Sequence, residues 1–159
     1  MSKQISVVLV GAGNRANVYA KLALEEPEKM KVVGVVDPDP VRVKAAVEMY
    51  GIPAENCFSS VEEFVARDKF ADAVINGTMD DIHVVTSIPV LKKGYDMLLE
   101  KPFAVNEDEL RELVKVANDC GRKVLICHVL RYTPFYSAIK RHVMSGEIGD
   151  IISIEMCEH

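Results

Sequence analysis

The 159-residue sequence lacks the features that mark several classes of protein. No apolar run approaches the roughly 18 residues of a membrane span, and the run before Gly11 is too short for a signal peptide. No basic cluster occurs, and a net charge of −5 does not favour binding to nucleic acid or anionic membranes. The four cysteines show no C-x-x-C spacing, so neither a metal site nor a disulfide framework is indicated. We expect a cytoplasmic protein without membrane or nucleic-acid partners.

A short apolar run followed by a glycine turn, I-S-V-V-L-V-G-A-G-N-R-A, opens the chain. The first glycine permits a tight turn, the second lets backbone amides approach a phosphate, and the alanine leaves room for a helix to pack on the strand. Free N–H groups where that helix begins favour a pyrophosphate. The motif alone is weakly specific, because glycine-rich turns are common. The cofactor contacts predicted here are Gly11, Gly13, Asn14, Arg15 and Ala16.

Apolar runs and helix signals alternate along most of the chain. This alternation is typical of a doubly wound α/β fold with a parallel sheet, a Rossmann domain that we expect over residues 1–130. The capping pairs Ser60–Glu63 and Asn106–Glu109 each mark the start of a helix. The predicted strands are 5–10, 31–36, 56–58, 71–76, 95–99 and 123–127, and the predicted helices include 14–25, 40–50 and 81–93.

The segment 131–159 has a different pattern. A helix is predicted from Thr133 to about Ser145, and residues 150–159 alternate like a half-buried antiparallel strand. This strand has no evident partner in the chain, so we expect it to be disordered or paired with another copy. We interpret the segment as the connecting helix and first strand of a second, α+β substrate domain that is otherwise missing.

Asp37 and Arg42 follow the second predicted strand. Asp37 comes about twenty residues after the glycine motif, where a carboxylate accepts hydrogen bonds from the adenosine ribose and repels a 2′-phosphate. NAD is therefore favoured over NADP, although Asp37 is also compatible with an ordinary turn. Arg42 is placed either across an adenine ring or on a solvated helix face.

Thr78 and His83 flank the turn after the fourth strand, where ligands of such sheets gather. We expect Thr78 to contact the pyrophosphate or the nicotinamide ribose. His83 is a candidate cofactor neighbour, but a histidine on a helix face is more often a packing residue than a catalyst.

Glu100-Lys101-Pro102 ends the fifth strand at the same edge of the sheet. Lys101 is the candidate catalytic residue, since its ammonium group can hold a substrate hydroxyl or carbonyl, and Glu100 is a candidate acceptor for the nicotinamide ribose. A cis bond before Pro102 would aim the lysine into the cleft. Beyond strand six, His128 is predicted to border the nicotinamide and Arg131 to order the Lys101 loop.

Together these motifs resemble the Gfo/Idh/MocA oxidoreductase family, the group of glucose-fructose oxidoreductase and inositol dehydrogenase. The matching pieces are G-A-G-N-R-A, Asp37, the turn at 78–83, E-K-P at 100–102, and R-Y-T-P with a later G-E-I-G. The resemblance implies NAD(P)-dependent hydride transfer on a sugar, inositol or polyol, with Lys101 orienting the substrate. It also implies a second domain that supplies the proton-transferring residue and a homo-oligomer interface.

Two other functions remain open. Some relatives of the family are glycosidases that use bound NAD without net turnover, and the same nucleotide domain would serve them. A stand-alone nucleotide-binding module for sensing or regulation is the alternative from a different class. A methyltransferase is less compatible, because E-K-P has no role in such an enzyme.

Overall fold

The computed structural model describes residues 3–157, and the compact unit that ends at Cys127 contains a parallel sheet of six strands. The strand order is β3-β2-β1-β4-β5-β6, and every neighbouring pair runs parallel. The predicted doubly wound α/β fold is therefore confirmed. The strands are β1 (Ile5–Val10), β2 (Met30–Val36), β3 (Cys57–Phe58), β4 (Ala73–Asn76), β5 (Asp96–Leu99) and β6 (Val124–Ile126).

Residues 3–157 contain seven α-helices, six in the unit that holds the sheet and one after it, and none is long and apolar enough to cross a membrane. The predicted helix 14–25 is interrupted at Lys21, and the predicted helix 81–93 begins with a 3₁₀ turn at Asp80–Ile82. Side-chain caps form as expected: Asp39 accepts from the Val41 N–H at 2.9 Å. The helices are α1 (Asn14–Ala20), α2 (Leu22–Glu25), α3 (Pro40–Tyr50), α4 (Val61–Ala66), α5 (His83–Lys92), α6 (Glu107–Asp119) and α7 (Pro134–Met144).

The core lies on both faces of the sheet, because successive strand side chains point to opposite sides. In β1, Val8 belongs to one buried cluster and Leu9 to the other. Side chains of α4, α5 and α6 complete the first cluster, and side chains of α1 and α3 complete the second. The apolar runs of β1 and β2 thus reflect strands that are covered on both sides.

The carboxyl ends of four central strands finish level with one another. Val10 is in register with Val36 and with Asn76, and Asn76 is in register with Leu99. Strand order reverses beside β1, which is the point where open α/β sheets leave a crevice for ligands. The loops after β1, β2, β4 and β5 therefore emerge at one edge of the sheet.

Residues 128–157 belong to a second compact unit. It contains a 3₁₀ turn at Val129–Tyr132 and then α7, whose first turn is capped by Thr133. The strand expected over 150–159 is not formed in residues 151–157, where Ile152 is 95% exposed, and 158–159 lie outside the described residues. Alternation alone does not make a strand, because its backbone groups need a hydrogen-bonded neighbour. Pairing with another copy stays a prediction.

Candidate functional site

Gly11 begins the loop after β1 and lies against the loop after β4. Its φ is +77°, which glycine adopts at little cost. A Cβ at this position would lie 2.8 Å from the Thr78 backbone nitrogen and 2.9 Å from its Cα. Gly11 therefore makes the tight turn and also lets the loop after β1 lie directly against the loop after β4.

Gly13 precedes α1 and leaves the start of that helix open. As the N-cap residue, Gly13 has no side chain to cap the helix, and a Cβ at Gly13 would meet nothing within 4 Å. The loop is held from behind, since the Asn17 side-chain amide donates to the carbonyl oxygens of Ala12 at 2.9 Å and Gly13 at 2.8 Å. The space beside Gly13 at the start of α1 is therefore open, as an anion-binding loop requires.

Asp37 is a buried carboxylate at the end of β2, with 3% of its surface exposed. Its Oδ2 accepts from the Ala12 N–H and its Oδ1 from the Asp39 N–H, each at 2.8 Å. The Arg42 Nη1 lies 3.8 Å from Oδ2. Each carboxylate oxygen keeps a further lone pair for a ligand hydroxyl. Asp37 therefore anchors the glycine loop in addition to the ribose role expected of it.

Asn76, the last residue of β4, sets the position of the next turn. It is buried, and its Oδ1 accepts from the Thr78 N–H at 3.2 Å and from the Thr78 hydroxyl at 2.8 Å. Between them, Gly77 packs on α1, since a Cβ there would lie 2.9 Å from the Ala16 Cβ. The small residue at position 16 thus matters for packing against Gly77.

His83 connects two of the loops from behind. It is fully buried at the first position of α5. Its Nε2 lies 3.1 Å from the Thr78 carbonyl oxygen, and its Nδ1 lies 2.6 Å from the Pro102 carbonyl oxygen. From the sequence, His83 was either a cofactor neighbour or a packing residue, and these contacts are those of a packing residue. Any effect of His83 on a bound cofactor would therefore act through the loops that contain Thr78 and Pro102.

Glu100 and Lys101 follow β5 on the opposite side of the crevice from Asp37. Glu100 is 6% exposed, and its Oε2 accepts from the Lys101 N–H at 2.7 Å. Its Oε1 lies 3.7 Å from the Nε of Arg15. The peptide bond between Lys101 and Pro102 is cis. A buried carboxylate thus supports the backbone of an exposed lysine at the edge of the sheet.

An open groove of about 430 Å³ runs along this edge. Residues that the sequence did not single out also line it, among them Pro38, Met79 and Asp80. Nine of the predicted site residues line the groove, namely Gly11, Gly13, Asn14, Arg15, Asp37, Arg42, Thr78, Glu100 and Lys101.

Three other predicted site residues of the first compact unit, Ala16, His83 and Pro102, do not line the groove. Ala16 is buried against Gly77, and the Pro102 carbonyl faces His83. His128 and Arg131 belong to the second compact unit, and their contacts with a cofactor stay predictions.

Three residues that shape the groove had no site role in the sequence-based predictions, namely Asn17, Asn76 and Gly77, although Gly77 was expected in the turn after the fourth strand. For two of these residues, the sequence contains a feature that could have indicated the role. Asn17 lies one helical turn after Gly13, and Asn76 is an amide at the end of an otherwise apolar strand. For Gly77, whose partner Ala16 is distant in sequence, we find no such signal.

A family model described as an oxidoreductase family with an NAD-binding Rossmann fold matches residues 5–128. The chain belongs to the Gfo/Idh/MocA family. Within this family it is similar to inositol 2-dehydrogenase of Corynebacterium glutamicum, with 25% identity over 155 residues, 97% of this chain and 45% of that protein. It is also similar to trans-1,2-dihydrobenzene-1,2-diol dehydrogenase of Xenopus laevis, with 28% identity over 76% of this chain and 36% of that protein.

Solved structures of similar proteins have the same fold as this chain. The WlbA dehydrogenase of Chromobacterium violaceum, in complex with NADH and UDP-GlcNAcA, superposes with a TM-score of 0.84 at 27% identity. An NAD-binding protein from Listeria innocua gives a TM-score of 0.80 at 26% identity. Each match covers 94% of this Gfo/Idh/MocA chain and 42% of the other chain. The chain thus spans less than half the length of these relatives.

The residues of the groove fit the dinucleotide that the Gfo/Idh/MocA family binds. The space above Gly13, which a Cβ would partly fill, is open for a pyrophosphate next to backbone N–H groups. Asp37 has lone pairs for ribose hydroxyls, and its charge opposes a 2′-phosphate. Glu100 and Lys101 line the same groove. The geometry is consistent with NAD as the cofactor.

Proposed function

We propose that this chain is the cofactor-binding part of an NAD-dependent dehydrogenase that acts on a hydroxyl carbon of a sugar, inositol or related polyol. The observation that carries the proposal is the single groove lined by Gly13, Asp37 and Lys101. Such a reaction needs three features from the cofactor-binding domain. These are a loop that binds the pyrophosphate, a hydrogen-bond acceptor for a ribose, and a cation that binds a substrate oxygen.

In this proposal, the loops along the groove have different roles. Gly13 and the start of α1 hold the pyrophosphate, and Asp37 holds the adenosine ribose. Glu100 accepts from the other ribose, and Lys101 donates to the substrate hydroxyl that is oxidised. The nicotinamide supplies the hydride acceptor when NAD is bound. Lys101 thus orients the reacting carbon and stabilises charge on its oxygen.

We further propose that these 159 residues bind NAD without appreciable turnover. The structure describes no further sheet that would cover the groove within residues 3–157. The proton-transferring residue and the pocket that selects the substrate belong, in this proposal, to a second domain that also carries an oligomer interface.

Isothermal titration calorimetry with NAD and NADP tests the cofactor role. We expect a one-to-one complex with NAD and weaker binding of NADP, because Asp37 opposes the 2′-phosphate. Absence of NAD binding contradicts the proposal. A panel of inositols and free sugars, with NADH formation as the readout, tests inactivity, and robust turnover of any of them contradicts that part.

Lys101→Ala separates the catalytic role from cofactor binding. Where the reading frame continues past residue 159, the complete protein should lose about a hundredfold or more in kcat while its affinity for NAD changes little. Equal losses in both quantities point to a structural role for Lys101. Lys101→Arg is the matched control, since it keeps the charge but changes its shape.

Two alternatives give different results. An NAD-dependent glycosidase cleaves a glycoside without net NADH formation, whereas a dehydrogenase forms NADH in proportion to the polyol consumed. A regulatory module predicts a natural stop codon directly after residue 159 and no effect of Lys101→Ala on any reaction.

A further inference from the structure

The side-chain amide of Asn76 holds the Thr78 hydroxyl in one orientation. The Thr78 backbone N–H lies 3.2 Å from one side-chain atom of Asn76, and the Thr78 hydroxyl lies 2.8 Å from the same atom. A backbone N–H can only donate, so this atom is the amide oxygen, Oδ1. An amide oxygen can only accept, so the Thr78 hydroxyl donates to it. The single proton of this hydroxyl is therefore used in the bond to Asn76.

The nitrogen of the same amide fixes the orientation of Asn76 itself. Its Nδ2 donates to the hydroxyl oxygens of Thr86 at 2.9 Å and Ser87 at 3.0 Å. The Thr86 hydroxyl donates to the Ile82 carbonyl oxygen at 2.7 Å, so its proton is not directed at the Thr78 hydroxyl, 3.4 Å away. Asn76 and Ser87 are almost completely buried. A buried hydrogen-bonded network of this kind keeps the amide from turning over.

Thr78 consequently offers the groove an acceptor and no donor. The residue is half-buried and lines the groove. Its N–H and its hydroxyl proton are both directed at Asn76, whereas its hydroxyl oxygen keeps lone pairs for a ligand. The pyrophosphate oxygens of a dinucleotide carry no protons at neutral pH, so they are acceptors as well. Two acceptors repel each other, and a ribose hydroxyl, which can donate, is the matching partner.

The place of Thr78 in the sheet indicates which ribose it meets. Strand β4 lies between β1 and β5, whereas Asp37 follows β2 on the other side of β1. The Glu100 N–H donates to the Asn76 carbonyl oxygen at 2.9 Å, so the loop after β5 begins beside the end of β4. Thr78 thus lies on the Glu100 side of the glycine loop, where the proposed function puts the nicotinamide ribose.

We propose that the Thr78 hydroxyl oxygen accepts a hydrogen bond from a hydroxyl of the nicotinamide ribose, and that Asn76 is the positioning residue that keeps this oxygen an acceptor. The proposal rests on the proposed function, since it takes NAD as the ligand. It excludes the other contact expected from the sequence, between Thr78 and the pyrophosphate. The phosphate oxygens are then bound by the glycine loop and the start of α1, and the nicotinamide ribose has two acceptors, Thr78 and Glu100.

Three ligands separate the possible contacts of Thr78. ADP contains the pyrophosphate without the second ribose, ADP-ribose adds that ribose, and NAD adds the nicotinamide. Titration calorimetry at about pH 8, where the terminal phosphate of ADP is ionised, measures their affinities for the wild-type chain and for Thr78→Val. The variant should bind ADP-ribose and NAD about fivefold more weakly, the equivalent of one neutral hydrogen bond, and ADP with unchanged affinity. Thr78→Ser is the matched control, because it keeps the hydroxyl and should keep all three affinities.

Variants of Asn76 test the positioning role. Asn76→Ala releases the Thr78 proton, so the ratio of the affinity for ADP-ribose to the affinity for ADP should fall about fivefold. Asn76→Asp keeps an acceptor for Thr78 and should keep this ratio, although its negative charge weakens the binding of both ligands. A merely structural role of Asn76 lowers both affinities by the same factor and leaves the ratio unchanged in Asn76→Ala.

Several results overturn the proposal. If Thr78→Val loses affinity for ADP as much as for ADP-ribose, Thr78 contacts the pyrophosphate. If the loss is confined to NAD, its partner is the nicotinamide carboxamide, and if no affinity changes, Thr78 contacts none of these groups. An unchanged ratio in Asn76→Ala refutes the positioning role, and should that variant fail to fold, a lost ratio in Asn76→Asp refutes it. If the wild-type chain binds none of the three ligands, the proposed function itself fails.

Discussion

Replacing Gly13 by serine separates the stability of the glycine loop from its ability to hold a pyrophosphate. Gly13 has a φ of −73° and a ψ of −175°, an extended conformation that serine adopts without strain. It is the N-cap of α1, and a Cβ added there meets nothing within 4 Å. The fold therefore has room for the new side chain, which would point into the space assigned to the phosphates.

The expected gain in stability comes from two effects. Serine loses less conformational freedom than glycine on folding, worth about 0.4–1 kcal/mol, and caps a helix slightly better, worth a few tenths of a kcal/mol. A total of about 1 kcal/mol raises the melting temperature by roughly 3 °C in a chain of this size. NAD affinity should fall at least about tenfold, because the hydroxyl occupies the cradle and bonds the N–H groups that a pyrophosphate needs.

Calorimetry measures both quantities on the same samples, by thermal unfolding and by titration with NAD. Gly11→Ser is the matched control, since its φ of +77° and its 2.8 Å approach to the Thr78 nitrogen leave no room for a Cβ. That variant should unfold at a markedly lower temperature. A stable Gly13→Ser chain that binds NAD as tightly as the wild type refutes the assignment of the pyrophosphate to this loop.

Three further predictions follow from the contacts. Hydrogen bonds from Lys3 and Ser6 lower the pKa of Asp72, so its contribution to stability is present above about pH 4 and is lost as the pH falls through the lowered pKa. Asp72→Asn should cost about 1 kcal/mol at pH 7 in urea unfolding, and a difference that does not shrink in acid would contradict this. Asp37→Ala should weaken NAD binding in titration calorimetry and also lower the free energy of unfolding by about 2 kcal/mol, because two backbone amides lose their acceptor. Unchanged stability would exclude that anchoring role. The Cys127 thiol, buried and with a raised pKa, should react with a thiol reagent only on unfolding, and rapid labelling in the folded chain would contradict its burial.

Much of the fold and part of the site could be predicted from local sequence. Apolar runs such as Ile5–Val10 form strands covered on both faces, and short-range signals such as Asp39 before Pro40 mark helix ends. The groove residues Gly13, Asp37 and Lys101 were predictable because the carboxyl ends of neighbouring parallel strands meet at one edge. Local patterns and strand order were sufficient for these features.

The remaining features depend on contacts between residues distant in sequence. His83 is a candidate cofactor neighbour in the sequence, yet its two ring nitrogens lie within hydrogen-bond distance of the carbonyl oxygens of Thr78 and Pro102 behind the groove. The alternation in 151–157 predicts a strand, yet no neighbour pairs with that segment in the described part of the chain. The close approach of Ala16 to Gly77 likewise exists only after α1 has packed on β4. The sequence by itself determined the sheet, the glycine loop and the residues that emerge at its edge. The tertiary structure alone decided which of them face the groove and which support it, because side-chain direction and hydrogen-bond partners depend on how separate elements pack.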